Sequence, residues 1–291
     1  LDGQPDRTAP PDLTGADRDP SRNQKLHWQS KMVLLLVLPA AGVWLFVLLL
    51  RPALSSGPAT TAAGLAAGAT LALLVWRARA ATGAGALTGG LLMACFCLTT
   101  PGWHSSAWAL LTMLVLTLSA TRVGRARKQH LGVAESRHGR GAAQVAANLG
   151  FAALAGTLIN AQGQVVALTV LLAALAEAGA DTLSSELGQA LRATPRLITT
   201  LKPVPPGTDG GITVAGTALG WLGAVVIACV GVSTMALPWQ SGAIAAAAGV
   251  AGLLFDSLLG ATLERAGWLN NDAVNFLSTL FAGAVALLLS R

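Results

Sequence analysis

The chain has 291 residues, 53% of them hydrophobic and 11% charged, with 19 Lys and Arg against 13 Asp and Glu for a formal net charge of +6. A soluble domain carries roughly a quarter charged residues, so an ordinary soluble enzyme is excluded. A mean hydropathy of +0.61 excludes a disordered chain as well.

Residues 1–31 are polar, with Pro at 5, 10, 11 and 20, and read as a disordered cytoplasmic tail ahead of an integral membrane domain spanning 32–291. Apolar stretches follow at 32–50, 57–75, 83–99, 103–120, 142–160, 163–180, 212–232, 240–260 and 273–290. Each is long enough to cross a hydrocarbon core of about 30 Å as a helix. Gly89-Gly90 interrupts the third. The fifth contains Gln144 and Asn148 and is expected to face other helices. Ala, Leu and Gly dominate, as in closely packed transmembrane helices. The expected fold is an all-α polytopic transmembrane helical bundle of nine spans.

Charge placement orients it. With the N-terminus cytoplasmic, 17 of the 19 basic residues fall in cytoplasmic segments, and only Arg51 and Arg291 lie outside. This puts the C-terminus outside. The basic balance therefore reports orientation, and no nucleic-acid partner is expected. Beyond the tail, all eight acidic residues lie in cytoplasmic loops or near the cytoplasmic helix ends. The chemistry is gathered at one face. Cys95, Cys97 and Cys229 sit inside apolar runs without His at zinc-ligand spacing, and read as packing residues.

Four constellations stand out. In Glu177-Ala-Gly-Ala-Asp181-Thr-Leu-Ser184-Ser-Glu186-Leu-Gly188, positions 177, 181, 184 and 188 fall on one helical stripe. Carboxylates with hydroxyls suit Mg²⁺, a hard ion that keeps water and reaches phosphates. An intramembrane Glu is costly unless used; a plain helix cap is the alternative. The second, Lys202-Pro-Val-Pro-Pro-Gly207-Thr208-Asp209-Gly210-Gly211-Ile-Thr213, combines stiff prolines, glycines that turn N–H groups toward an anion, a helix start and a cation. A simple interhelical turn would not need that density. In the third, Asp256, Gly260 and Glu264 share a face, and Asp272 shares another with Asn275, beside Asn270 and Asn271. Metal ligation by Asp256 competes with a structural pair to Arg265 or Lys202. The fourth is the basic loop ending Arg137-His-Gly-Arg140, which runs into Gln144 and Asn148. Topology explains most of its charge, and the Gly-Arg-Gly step suits a lipid phosphate. No Walker A sequence and no Ser/His/Asp arrangement is present.

These residues resemble a family of integral membrane proteins, DUF92, that includes eukaryotic transmembrane protein 19 and the plant and cyanobacterial phytyl-phosphate kinases. The matching stretches are 139–148, 180–188, 206–213, 255–262 and 270–275. Asp181–Gly188 and Lys202–Gly211 are more distantly similar to elements of dolichol kinases and CDP-diacylglycerol synthases. The Lys-Thr pair and the full synthase signature of those enzymes are absent. The resemblance implies phosphoryl transfer from a nucleoside triphosphate, CTP favoured over ATP, to an isoprenyl monophosphate. On that reading Asp181, Lys202, Asp209 and Asp256 are catalytic, and Glu177, Asp181, Glu186 and Asp256 hold Mg²⁺ or another divalent cation. Ser184, Lys202, Gly207, Thr208, Asp209, Gly210, Gly211, Thr213, Asn271, Asp272 and Asn275 bind nucleotide. Arg137, Arg140, Gln144 and Asn148 bind the lipid phosphate. Membrane lipids are further partners, and a homodimer is left open. Competing readings are a cytidylyltransferase making a CDP-activated lipid and a lipid or ion transporter.

Overall fold

A computed structural model describes residues 27–50, 58–134, 139–191 and 193–291. Each expected apolar stretch is a helix. They are α1 (His27–Leu50), α2 (Pro58–Arg77), α3 (Gly83–Thr99), α4 (Ala107–Arg122), α6 (Ala142–Ala155), α8 (Gln164–Ala190), α9 (Val214–Met235), α10 (Trp239–Leu259) and α11 (Asn271–Leu289). Short helices α5 (Arg125–His130) and α7 (Ile159–Gln162) lie between them. Seven of the helical segments are long and apolar enough to cross a membrane, while α3 and α4, at 17 and 16 residues, are shorter. The fold is an all-α integral membrane bundle. Helix α1 starts at His27, ahead of the expected boundary at 32, and the rest of the expected tail lies outside the described residues. A pair of two-residue antiparallel strands, β1 (Arg196–Leu197) and β2 (Gly211–Ile212), was not expected from the sequence.

Helix α8 is the axis of the bundle, with 83% of its most apolar window buried, and α4, α6, α9, α10 and α11 pack around it. Its 27 residues rise about 40 Å, so about two turns project beyond a 30 Å hydrocarbon core. Inside a bilayer, helices associate through close packing rather than solvent exclusion, which rewards small residues. A Cβ on Gly216 would stand 2.7 Å from the Ser184 carbonyl, and one on Gly220 would stand 2.6 Å from that of Ala180. On α10, a Cβ at Gly252 would lie 2.5 Å from Cγ of Glu177. These glycines bring α9 and α10 onto the acidic stripe of α8.

The outer helices bury a single stripe. In α1 it is Gln29, Val33, Val37, Ala41 and Trp44, spaced three or four apart, while Leu35, Leu36, Val43 and Phe46 face outward. Three helix starts carry side-chain caps. Thr82 accepts from the Gly85 N–H, Thr213 from Gly216 and Asn270 from Ala273. Each such cap stabilises its helix by about 1 kcal/mol. Exposed Trp103 and Trp239 at one set of helix ends, and Trp28, Trp76 and Trp268 at the other, suit membrane interfaces.

Candidate functional site

The C-terminal turns of α8, the end of α10 and the 193–213 segment enclose a polar cleft of about 240 Å³. Asp181, Ser184 and Gly188 form one wall, as the helical stripe predicts. The opposite wall is Asp256, Ser257, Gly260 and Glu264 from α10 and the π-helical turn Gly260–Glu264 that continues it. Such turns re-aim side chains and are frequent at functional sites. The third wall is Gly207, Thr208, Asp209, Gly210, Gly211 and Thr213, and Asn271 closes the rim.

The glycine loop is shaped by its neighbours. Gly207 and Gly210 have φ of 82° and 72°, and a Cβ on Gly210 would lie 2.3 Å from the Ala261 nitrogen. Only Gly fits that position, where the loop rests on the π-turn. Two of its N–H groups are bonded within the loop, Thr208 to the Pro205 carbonyl at 3.2 Å and Gly211 to that of Thr208 at 2.9 Å. Those two are not aimed at an external anion.

Four acidic residues, Asp181, Asp209, Asp256 and Glu264, line the cleft together with Arg127. Asp256 lies within electrostatic range of Asp181, Glu177 and Glu264. Its Oδ2 accepts from Ser278 Oγ at 3.1 Å. Glu177 stands one turn deeper on α8, 1% exposed, and its Oε1 has no hydrogen-bond partner among the described residues. An orphaned carboxylate oxygen behind two acidic groups fits a cationic ligand. Among the described residues no three His, Cys, Asp or Glu side chains converge closely enough to hold a metal ion by themselves. Mg²⁺ needs fewer, since one or two carboxylates suffice when phosphate oxygens and water complete its shell. The residues present fit that mode.

Other expected site residues stand elsewhere. Glu186 pairs with Lys128 Nζ and accepts from Thr121 Oγ1 at 3.4 Å. Lys202 is exposed on the segment joining the two strands, and the cleft walls do not include it. Asp272 accepts from Ser30 Oγ at 2.7 Å, and Asn270 Nδ2 donates to the same hydroxyl at 2.9 Å. Gln29 completes this clamp by donating to the Trp268 carbonyl and accepting from the Asn270 N–H, each at 2.8 Å. Asn275 is buried within α11, outside the cleft lining. Arg137 lies outside the described residues. Arg127 and Glu264 line the cleft although the sequence pattern assigned neither a site role.

A second pocket, an apolar groove of about 60 Å³, runs between α2, α3, α4 and α6. Leu71, Val75, Leu110, Met113, Leu114 and Leu118 line it, and Arg140, Gln144 and Asn148 form its polar side. Arg140 is pinned by its backbone. Its N–H donates to the Ala80 carbonyl and its carbonyl accepts from the Thr82 N–H, both at 3.0 Å. Gly139, at φ 76°, permits that contact, because a Cβ there would lie 2.4 Å from the Ala80 carbonyl carbon. Arg140, on the polar side of the groove, lies within electrostatic range of Asp181 on the cleft wall.

A family model described as "Integral membrane protein DUF92" matches residues 66–283. An uncharacterized membrane protein of Methanocaldococcus jannaschii is 36% identical over 180 residues, covering 62% of this chain and 74% of its own. An uncharacterized membrane protein of Synechocystis is 30% identical over 194 residues, covering 64% and 75%. The chloroplastic protein VTE6 of Arabidopsis thaliana is 30% identical over 240 residues, covering 79% and 65%. No solved structure matches the chain. A helical bundle gathered around an acidic cleft, matched by this model over most of its length, belongs to the DUF92 family of integral membrane proteins.

Proposed function

We propose that the protein is a metal-dependent kinase that moves the γ-phosphoryl group of a nucleoside triphosphate, CTP in preference to ATP, onto an isoprenyl monophosphate. The observation that carries this reading is an apolar groove whose polar side carries Arg140, with Arg140 within electrostatic range of Asp181 in a polar, acidic cleft. A lipid phosphate has one end for each. The groove takes the first isoprene units, Arg140 with Gln144 and Asn148 holds the phosphate, and the nucleotide occupies the cleft against Ser184, Asp209, Thr213 and the glycine loop. The resemblance to phytyl-phosphate kinases supports the same substrate class. The cytoplasmic charge bias supports a cytoplasmic active face.

In the reaction an oxygen of the lipid phosphate attacks the γ-phosphorus. The bond from that phosphorus to the β,γ-bridging oxygen breaks, and its electron pair leaves on the nucleoside diphosphate. The lipid departs as its diphosphate. A phosphate monoester has its second pKa near 6, so the acceptor is already anionic at neutral pH and needs no general base. The requirement is instead to bring two anions together in line, by positioning and charge neutralisation. Mg²⁺ held by Asp181 and Asp256, with Glu177 behind them, would supply Lewis-acid neutralisation of the phosphate oxygens. Arg140 presents a planar fork that matches a terminal phosphate better than a hydroxyl.

The test uses purified protein in lipid nanodiscs with a nucleoside triphosphate and matched prenyl alcohol and prenyl monophosphate. Turnover is expected with the monophosphate and little with the alcohol, and Arg140→Ala should raise the KM for the lipid more than that for the nucleotide. Equal turnover of the two lipids would overturn the reading.

A further inference from the structure

We infer that Arg127 is the residue that holds the β- and γ-phosphates of the nucleoside triphosphate, an inference that rests on the phosphotransfer reading above. The cleft poses a charge problem. Its walls carry four carboxylates, and a triphosphate is itself a polyanion, yet Lys202 is not among the lining residues. Among the described residues, Arg127 is the basic residue of the cleft lining.

Its placement is built rather than incidental. Arg127 is half-buried, and its Nε donates to the Gln189 carbonyl at 3.2 Å, at the end of the same helix that carries Asp181 and Ser184. That bond restrains the side chain at its Nε. The two terminal amino groups have no other partner among the described residues. A held guanidinium with its fork unused is the geometry that recognises phosphate oxygens bidentately.

The short helix beneath it is locked in the same way. The next residue, Lys128, is 1% exposed, and its Nζ donates to the carbonyls of Ala120 at 3.0 Å and Thr121 at 2.9 Å as well as to Glu186. Gly124, at φ 64°, lets the turn close on α8, since a Cβ there would lie 2.8 Å from that of Ala190. Topology explains why this loop is basic. It does not explain why one arginine of the loop is half-buried, bonded to the end of α8 and part of the cleft lining.

The experiment measures binding of the β,γ-methylene analogue of CTP, and then that of ATP, against the matching nucleoside monophosphate. It uses the full chain in nanodiscs with Mg²⁺, as wild type, Arg127→Gln and Arg127→Lys. Arg127→Gln should weaken triphosphate binding about 10- to 100-fold, the loss of charge-assisted bonds to phosphate. Monophosphate binding and the KM for lipid should change less than about 3-fold, and Arg127→Lys should fall between. Wild-type triphosphate affinity in Arg127→Gln would overturn the inference and leave the kinase reading standing. Equal loss of triphosphate and monophosphate binding would also overturn it, assigning Arg127 to packing alone. Failure of the wild type to bind any triphosphate would remove the phosphotransfer reading and the inference with it.

Discussion

Glu186→Gln separates a structural carboxylate from a metal-binding one. In the folded chain, Lys128 Nζ is 1% exposed and meets three acceptors: Glu186 and the carbonyls of Ala120 and Thr121. A buried charge left without its partner costs about 3–5 kcal/mol. Here the two carbonyls belong to the C-terminal end of α4, the negative end of its dipole, and keep roughly half of that stabilisation. The expected loss is therefore about 1.5–2.5 kcal/mol, or about 3–8 °C in Tm for a chain of this size. Lys128→Met should cost at least as much, because Glu186 is only 13% exposed and would keep only the Thr121 hydroxyl. The double variant should recover about 1–3 kcal/mol relative to the sum of the singles. The assay is thermal unfolding in nanodiscs with and without Mg²⁺, alongside the Mg²⁺ dependence of turnover well below both midpoints. The half-activating Mg²⁺ concentration should not move in Glu186→Gln. A variant that melts like wild type but loses its response to Mg²⁺ would refute this reasoning and return Glu186 to the metal.

Gly89→Leu tests the groove. A Cβ at Gly89 would meet only Val145 Cγ1, at 3.8 Å, so the side chain enters open space and fills it. The KM for a long prenyl monophosphate should rise about 10-fold or more with nucleotide binding unchanged, and unchanged lipid kinetics would remove the groove from the substrate path. Topology is tested by single cysteines placed at Pro205 and Pro238 after replacing the three native ones. A membrane-impermeant reagent should reach position 238 from outside and position 205 only from the cytoplasmic side, and labelling of both from one side would contradict the cytoplasmic active face.

The apolar helices are legible because a long all-round apolar run needs no partner to be recognised, and Thr82, Thr213 and Asn270 mark helix starts locally. The alignment of Asp181, Ser184 and Gly188 on one cleft wall follows from helical spacing alone. What stayed hidden depends on residues far apart in the chain. Glu186 looks like another ligand on a polar turn until Lys128, 58 residues earlier, takes it up. Asp272 and Asn270 read as a site motif, yet Ser30 and Gln29 bond them from more than 200 residues away. Lys202 sits within a loop rich in glycine and proline, and nothing local says which way the segment turns until the pairing of Arg196 with Ile212 sets it. Arg127 carries no signal that distinguishes it from its basic neighbours.

The central claim is that the β,γ bond of the nucleotide is the one that breaks. The direct measurement is label transfer in nanodiscs with a prenyl monophosphate, run in parallel with nucleoside triphosphate labelled at the α- or the γ-phosphate. The account predicts that γ-label appears in a prenyl diphosphate while α-label remains in the nucleoside diphosphate. Transfer of α-label to the lipid with release of pyrophosphate would contradict it and establish a nucleotidyl transfer instead.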